Sequence, residues 1–258
     1  MSEQKQSLMN LLETGATYYL SHISLDCVVF GFHENQLKVL LLKMKDRDKW
    51  GLPGGFVRKE ESVELAANRV LKERTGLDNI FLQQFHVFSD PDRSNNKDLI
   101  ESARKTGIEV TEDNWFAQRF ISIGFYALVE FSQVKPTADA ISDDCTWWDL
   151  QEIKSLMLDH NLILDKALET LRLHLNYQPI GYTLLPDKFT MPELQKLYET
   201  ILGKKLDRRN FQRKITGYGI LKRWEERRSG VAHKAPYFYS FDTEKYKQAL
   251  QEGLDGGW

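Results

Sequence analysis

The chain has 258 residues, 41% hydrophobic and 28% charged, with a net charge of −2. That is enough length and apolar content for one large or two ordinary domains with packed cores, and it excludes a disulfide miniprotein and a disordered tail. No run of about 18 apolar residues occurs and the polar segment 1–17 lacks a cationic flank before an apolar stretch, so neither a membrane span nor a secretory signal is expected and the protein reads as cytoplasmic.

In chain order, the first elements are two β-branched or alternating apolar runs, 26–32 (DCVVFGF) and 36–44 (QLKVLLLKM), separated by His-Glu-Asn. They predict a hairpin. The turn 50–55 (WGLPGG) lets backbone approach a ligand closely and feeds residues 61–75. There Val63, Ala66, Ala67, Val70 and Leu71 share one apolar helical face, and Gly76 is a good stop. Further strands are expected at 80–88, 120–131 and 146–150. Residues 90–114 are polar and charge-rich, with a short helical pattern at 99–105, and read as a lid or a mobile insertion. Periodicity gives a helix at 162–175, which Tyr177, Gln178 and Pro179 break. The domain boundary therefore falls between 1–178 and 179–258. Cys27 and Cys145 lie outside any CxxC pair and are expected as reduced, packed thiols, neither bridged nor in a zinc cage.

The net charge conceals a division. Residues 1–179 hold 20 Lys and Arg against 27 Asp and Glu, whereas 180–241 hold 13 against 6. An acidic body with a basic module implies a polyanionic partner for the module.

That module begins PIGYTLLPDKFTMPELQKLYETILGKKLDRRNFQRKITGYGILKRW. Thr190 and Glu193 form a capping box for a helix to Leu202, with Leu194, Leu197, Tyr198 and Ile201 as its apolar stripe. Asp207 caps a second helix in which Phe211 and Ile215 face inward while Arg208, Arg209, Gln212 and Arg213 face outward. Ile220, Lys222 and Trp224 alternate, turn through Arg227, Arg228, Ser229 and Gly230, and return as YFYSF at 237–241. Two helices and a hairpin with a basic tip make a winged helix-turn-helix. Arginine and glutamine suit base edges and the lysines suit phosphates, so double-stranded DNA is the expected partner; RNA stays open as the alternative polyanion, although no stacking platform of the RRM kind is visible.

Gly55, Glu61, Arg69, Leu71, Glu73, Gly76 and Leu77 together resemble the Nudix box. The resemblance implies an α/β/α sandwich over residues 20–178 whose box helix faces a pocket for nucleoside diphosphate compounds with magnesium or manganese. An active box places carboxylates at i, i+3 and i+4, on one helical face, to hold hard cations. Here those positions are Val70, Glu73 and Arg74, so metal-assisted hydrolysis is not expected, and neither catalytic residues, a resident metal nor a cofactor are assigned. Glu73 has a second reading as the surface ion-pair partner of Arg69, and Glu61 as a charge favouring the helix N-terminus.

A degenerate box joined to a winged helix resembles the Nudix-related transcriptional regulators, and the C-terminal segment is especially similar to the arabinose-responsive, pentose-sensing branch. The implied fold class is α/β: a Nudix-like α/β/α sandwich followed by a C-terminal winged helix-turn-helix domain. The implied function is a homodimeric, ligand-responsive repressor of carbohydrate-use genes that binds an operator and senses a sugar such as arabinose, with a nucleotide sugar or ADP-ribose as the alternative effectors. Arg208, Arg209, Gln212 and Arg213 are expected in the major groove, with Lys204, Lys205, Lys214, Lys222, Arg227, Arg228 and Lys234 at phosphates or in the wing. Lys43, Trp50, Gly55, Phe56, Glu73 and Asp90 are the expected effector contacts, with Trp147 and Trp148 as candidate walls. The rival reading is a working Nudix hydrolase, for instance on ADP-ribose, in which Asp90, Asp92 or Glu130 helps Glu73 rebuild a metal site. A third keeps the sensor and makes the basic module a protein-interaction wing.

Overall fold

The computed structural model describes residues 3–45, 48–78, 80–93, 100, 107, 110–111, 113–139, 141–228 and 235–253. The helical pattern expected at 99–105 thus lies almost wholly outside the described residues. Two compact units result. The first comprises Met1–Phe30, Val39–Ala127 and Gln133–Ala167, and the second Gly31–Lys38, Leu128–Ser132 and Leu168–Trp258. Among the described residues no helix is long and apolar enough to cross a membrane.

The sheet of the first unit is built on β1 (Tyr19–His33), β2 (Gln36–Met44), β3 (Trp50–Gly51), β4 (Gly54–Arg58), β5 (Phe81–Phe88), β6 (Ile121–Val129) and β7 (Ser142–Asp149). Its order is β3-β2-β1-β6-β5, with β4 paired to β1 and β7 to β2. The predicted hairpin forms β1 and β2, and Glu34 and Asn35 at its turn both have positive φ (49° and 62°), the backbone that matches strand twist in a two-residue hairpin. Central β1 is buried without interruption from Leu25 to Gly31, which is why this stretch reads as a continuous apolar run instead of an alternation.

The box helix is α2 (Val63–Thr75). Ser62 caps it, its Oγ accepting from Leu65 N at 3.3 Å, and Gly76 ends it at φ +71°. The helix starts two residues later than predicted because Glu61 is held in the preceding turn, where it accepts from Arg58 N at 2.8 Å. Ala66, Ala67, Val70 and Leu71 are buried as the periodicity requires. The helix α3 (His160–His174) follows β7.

In the first unit, one α-helix was not predicted. Residues 3–18 form α1 (Glu3–Tyr18), in which Leu8, Leu11, Leu12 and Gly15 recur at helical spacing, and its second half docks on the fold. Leu12 packs with Val110, Phe116 and Ala117, while Trp115 Nε1 donates to Leu11 O at 3.0 Å and Asn114 Nδ2 to Leu12 O at 3.1 Å. Gly15 is the point of closest approach, since a Cβ there would lie 2.0 Å from the Trp115 ring. Both cysteines are free and buried, and burial pushes both thiols up, Cys145 to about 11.

The second unit contains β8 (Phe189–Thr190), α4 (Met191–Leu202), α5 (Arg208–Gly217), β9 (Leu221–Arg227), β10 (Tyr237–Phe241) and α6 (Thr243–Glu252), with sheet order β8-β10-β9. The capping box is present, Glu193 Oε2 accepting from both Thr190 N and Thr190 Oγ1 at 2.8 Å, and Gly203 ends α4 at φ +68°. Asp207 caps α5 by accepting from Asn210 N at 2.9 Å. Leu194, Leu197, Tyr198, Ile201, Phe211 and Ile215 are buried, and Tyr198 meets Phe211 edge-on at 5.5 Å. The short β8 and the closing α6 were not predicted. Tyr246 is the single buried residue of α6, packed on Phe241 and Tyr182, too sparse a pattern to read from sequence.

Candidate functional site

The first unit encloses a cavity of about 700 Å3, within the range that holds a small-molecule ligand. Its wall is made by the glycine turn, the box helix and the segment around Asp139. Gly54 and Gly55 let the turn lie flat here: a Cβ on Gly54 would come 2.7 Å from the Leu25 carbonyl oxygen, and one on Gly55 2.7 Å from Val70 Cγ2. Phe56 joins the aromatic rings on one side of the cavity. It meets Phe120 at 5.3 Å and Phe116 at 5.5 Å, and all three line the space.

On the box helix, Arg69 binds Glu61 through two hydrogen bonds, Nε to Oε2 at 3.1 Å and Nη2 to Oε1 at 2.6 Å, and donates to the Phe56 carbonyl at 2.8 Å. These contacts tie the helix to the turn. They also hold the Glu61 carboxyl below its ordinary value, the hydrogen bonds from Arg69 being the main cause. A depressed carboxylate contributes stability that is present above its unfolded value and is lost as pH falls through the folded one. Glu61→Gln should therefore lower the melting temperature at neutral pH but flatten its decline below about pH 4.5, the ordinary value. A thermal melt series across the acid range measures this, and parallel acid limbs for the two proteins would contradict it. Glu73 lies 3.6 Å from Arg69 and is 44% exposed, so the ion-pair reading of its role is realised.

A second group of polar side chains borders the cavity and has no counterpart in the sequence reading. Arg93, 4% exposed at its side chain, donates Nε and Nη2 to the two oxygens of Asp159 at 2.9 and 3.0 Å, Nη1 to the Phe120 carbonyl at 3.1 Å and Nη2 to Asp26 at 3.4 Å. Ser122 Oγ donates to Asp26 at 2.5 Å. His160 Nδ1 accepts from Leu52 N at 2.8 Å, which leaves the proton of a neutral ring on Nε2, 3.5 Å from Asp26 Oδ1. The members come from positions 26, 93, 122, 159 and 160, a separation that leaves no local signal.

Of the expected effector residues, the structure brings Gly55, Phe56 and Glu73 to the cavity wall. Lys43, Trp50 and Asp90 are not among its lining residues. Lys43 and Trp50 face each other across the β2–β3 pairing, Trp50 packs edge-on against Trp148 at 5.0 Å, and neither candidate wall, Trp147 or Trp148, is among the cavity's lining residues. Asp90 shapes a turn, its carboxylate accepting from Asp92 N at 2.8 Å and its carbonyl from Arg93 N at 3.2 Å, and so positions Arg93.

In the second unit, Arg208, Arg209, Gln212 and Arg213 are exposed on α5 while Phe211 and Ile215 point inward. The wing cations are more engaged than the sequence implied. Lys222 lies 3.4 Å from Asp242, Arg227 stacks 4.0 Å over the Tyr237 ring and bonds its hydroxyl, and Arg228 pairs with Glu193. Lys214 is partly buried, which depresses its pKa. Lys234 lies outside the described residues.

Residues 20–171 match the NUDIX domain family, and residues 181–241 match the NrtR DNA-binding winged helix domain. The chain belongs to the Nudix family. An ADPR responsive transcriptional repressor NtrR of Acinetobacter baylyi is 28% identical over 237 residues, 89% of this chain and 83% of that protein. An ADP-ribose pyrophosphatase of Methanocaldococcus jannaschii is 32% identical over 139 residues, 53% of this chain and 69% of that one. The crystal structure of Shewanella oneidensis NrtR has a TM-score of 0.72 at 24% identity, covering 92% of this chain and 100% of that one; its complex with a 27mer DNA gives 0.71, at the same identity, over 92% and 99%. The sugar effector implied by the likeness to pentose regulators finds no support among these relatives, none of which is described as a sugar sensor, and arabinose is withdrawn as the expected ligand.

Nudix hydrolases hold divalent cations on box carboxylates, and the residues of this Nudix chain do not fit that role. Val70 is 1% exposed and its methyl packs over Gly55. Arg74 places a guanidinium where a third carboxylate is needed. Among the described residues no group of three or more His, Cys, Asp or Glu could hold a metal ion, so neither Asp90, Asp92 nor Glu130 joins Glu73 in one.

Proposed function

We propose that this protein is an ADP-ribose-responsive DNA-binding repressor, in which the Nudix unit holds the effector and α5 of the winged helix reads an operator. The observation that carries the reading is the joining, in one chain, of a Nudix domain lacking a metal-fitting box to an NrtR-type DNA-binding winged helix, and it is supported by the 28% identity to the ADPR responsive repressor of Acinetobacter. The cavity supports it chemically, since its lining includes aromatic rings that suit a base and arginines that suit phosphates. The repressor acts as a homodimer, two winged helices matching two operator half-sites, and effector binding shifts operator affinity because the ligand prefers one of the two states.

Fluorescence anisotropy tests this. The duplex upstream of the protein's own gene is titrated with protein at fixed salt, with and without ADP-ribose, arabinose and xylose. Binding tighter than to a scrambled duplex, altered by ADP-ribose and indifferent to the pentoses, is the expected result. Binding no tighter than to the scrambled duplex, there and at neighbouring intergenic DNA, would instead favour the interaction-wing reading.

A second reading, residual hydrolysis of ADP-ribose, is favoured by the likeness of the Nudix unit to the archaeal pyrophosphatase. Its signature is magnesium-dependent AMP release abolished by Glu73→Gln.

A further inference from the structure

Three arginines stand in the cavity wall, and their donors are unequally committed. Arg69 gives Nε and Nη2 to Glu61 and the Phe56 carbonyl, with Nη1 close to Glu73. Arg93 gives Nε, Nη1 and Nη2 to Asp159, the Phe120 carbonyl and Asp26. Arg74 gives Nη2 to Asp139 Oδ2 at 2.9 Å, and its Nε is buried with no partner. A buried donor left unsatisfied is costly, so a ligand oxygen that accepts from it gains more than one that merely replaces water.

Arg74 is also held in place. Its side chain is 11% exposed. Asp139 Oδ1 accepts from Ser142 Oγ at 2.7 Å and from Ile141 N at 3.0 Å, which leaves Oδ2 to orient the guanidinium. The Arg74 carbonyl accepts from Thr137 N at 3.0 Å, so the end of α2 is fixed to the same segment. The position is the one at which the box would carry a metal-binding glutamate. A guanidinium is charged at every working pH, and its planar fork matches two phosphate oxygens.

We infer that Arg74, oriented by Asp139, takes the place of a divalent cation and holds the diphosphate of the ligand, so that binding requires no metal. The inference rests on the ADP-ribose reading of the same cavity. It goes beyond that reading by assigning the cation that a diphosphate needs to a residue of the chain itself.

Isothermal titration of the full-length protein with ADP-ribose, in excess EDTA and again in magnesium and in manganese, tests it on the unaltered chain. The same affinity in all three is expected. Arg74→Gln should weaken ADP-ribose by about ten- to a hundredfold, the worth of a charge-assisted hydrogen bond, while adenosine, which lacks the diphosphate, binds as before. Arg74→Lys, which keeps the charge and loses the fork, should fall between. ADP-ribose binding that requires magnesium or manganese overturns the inference and leaves the effector reading standing. Undiminished ADP-ribose affinity in a folded Arg74→Gln protein does the same. Absence of ADP-ribose binding in every condition overturns both.

Discussion

Replacing Arg93 with methionine is expected to destabilise the Nudix unit by about 3–5 kcal/mol, the largest effect of any single substitution considered, because it strands buried carboxylates without their counter-ion. Arg93, Asp26 and Asp159 are 4%, 10% and 12% exposed at their side chains. Desolvating these charges is tolerated since the guanidinium meets Asp159 with two hydrogen bonds and reaches Asp26 and the Phe120 carbonyl with the rest. Methionine fills much of the volume but supplies no donor. Asp159 then loses the two hydrogen bonds it accepts from the guanidinium, and Asp26 loses its arginine contact. Denaturant unfolding followed by tryptophan fluorescence measures the loss. A loss below about 1 kcal/mol would mean that water replaces the arginine easily and that the cluster is a solvated surface feature. A companion Asp159→Asn protein should also be destabilised, and the double variant should cost less than the sum, since the two residues form one pair.

Arg209→Ala is expected to cost about 1–3 kcal/mol in operator binding and to relax the preference at one base pair, the range of a bidentate arginine–guanine contact. Arg209 lies exposed in the first turn of α5, after the Asp207 cap, and the N-terminal residues of a recognition helix are those that contact base edges. Arg228→Ala is the contrast. It should weaken all sequences alike and reduce the salt slope by about 1, the behaviour of a phosphate contact. Because Arg228 is paired with Glu193, its contact to DNA requires exchanging one anion for another. Anisotropy titrations of the operator and of single-base variants, at several salt concentrations, separate the two patterns. Equal, sequence-independent losses at both positions would move the recognition surface away from α5.

The parts of the fold that the sequence made legible are those with short-range physical causes. The β1–β2 hairpin, the box helix and both helices of the winged helix follow from period, caps and turn glycines, because those signals lie within a few residues of one another. The capping box at Thr190 and Glu193 and the Asp207 cap formed as read. By contrast α1 is tied to the fold by Trp115 and Asn114, a hundred residues away, and α6 buries Tyr246 as its single anchor.

The site divides in the same way. Composition, box spacing and the charge contrast determined, from sequence by itself, a Nudix unit with an altered metal face followed by a basic winged helix. Only the tertiary structure decided which side chains face the cavity. It turned Trp50 onto Trp148, made Asp90 part of a turn, and drew Arg93 out of a stretch that read as an insertion into contact with Asp26 and Asp159. The physical reason is range: caps and periodicity act over one or two helical turns, whereas a buried charge must be neutralised by whichever chain segments the packed sheet brings within hydrogen-bonding distance.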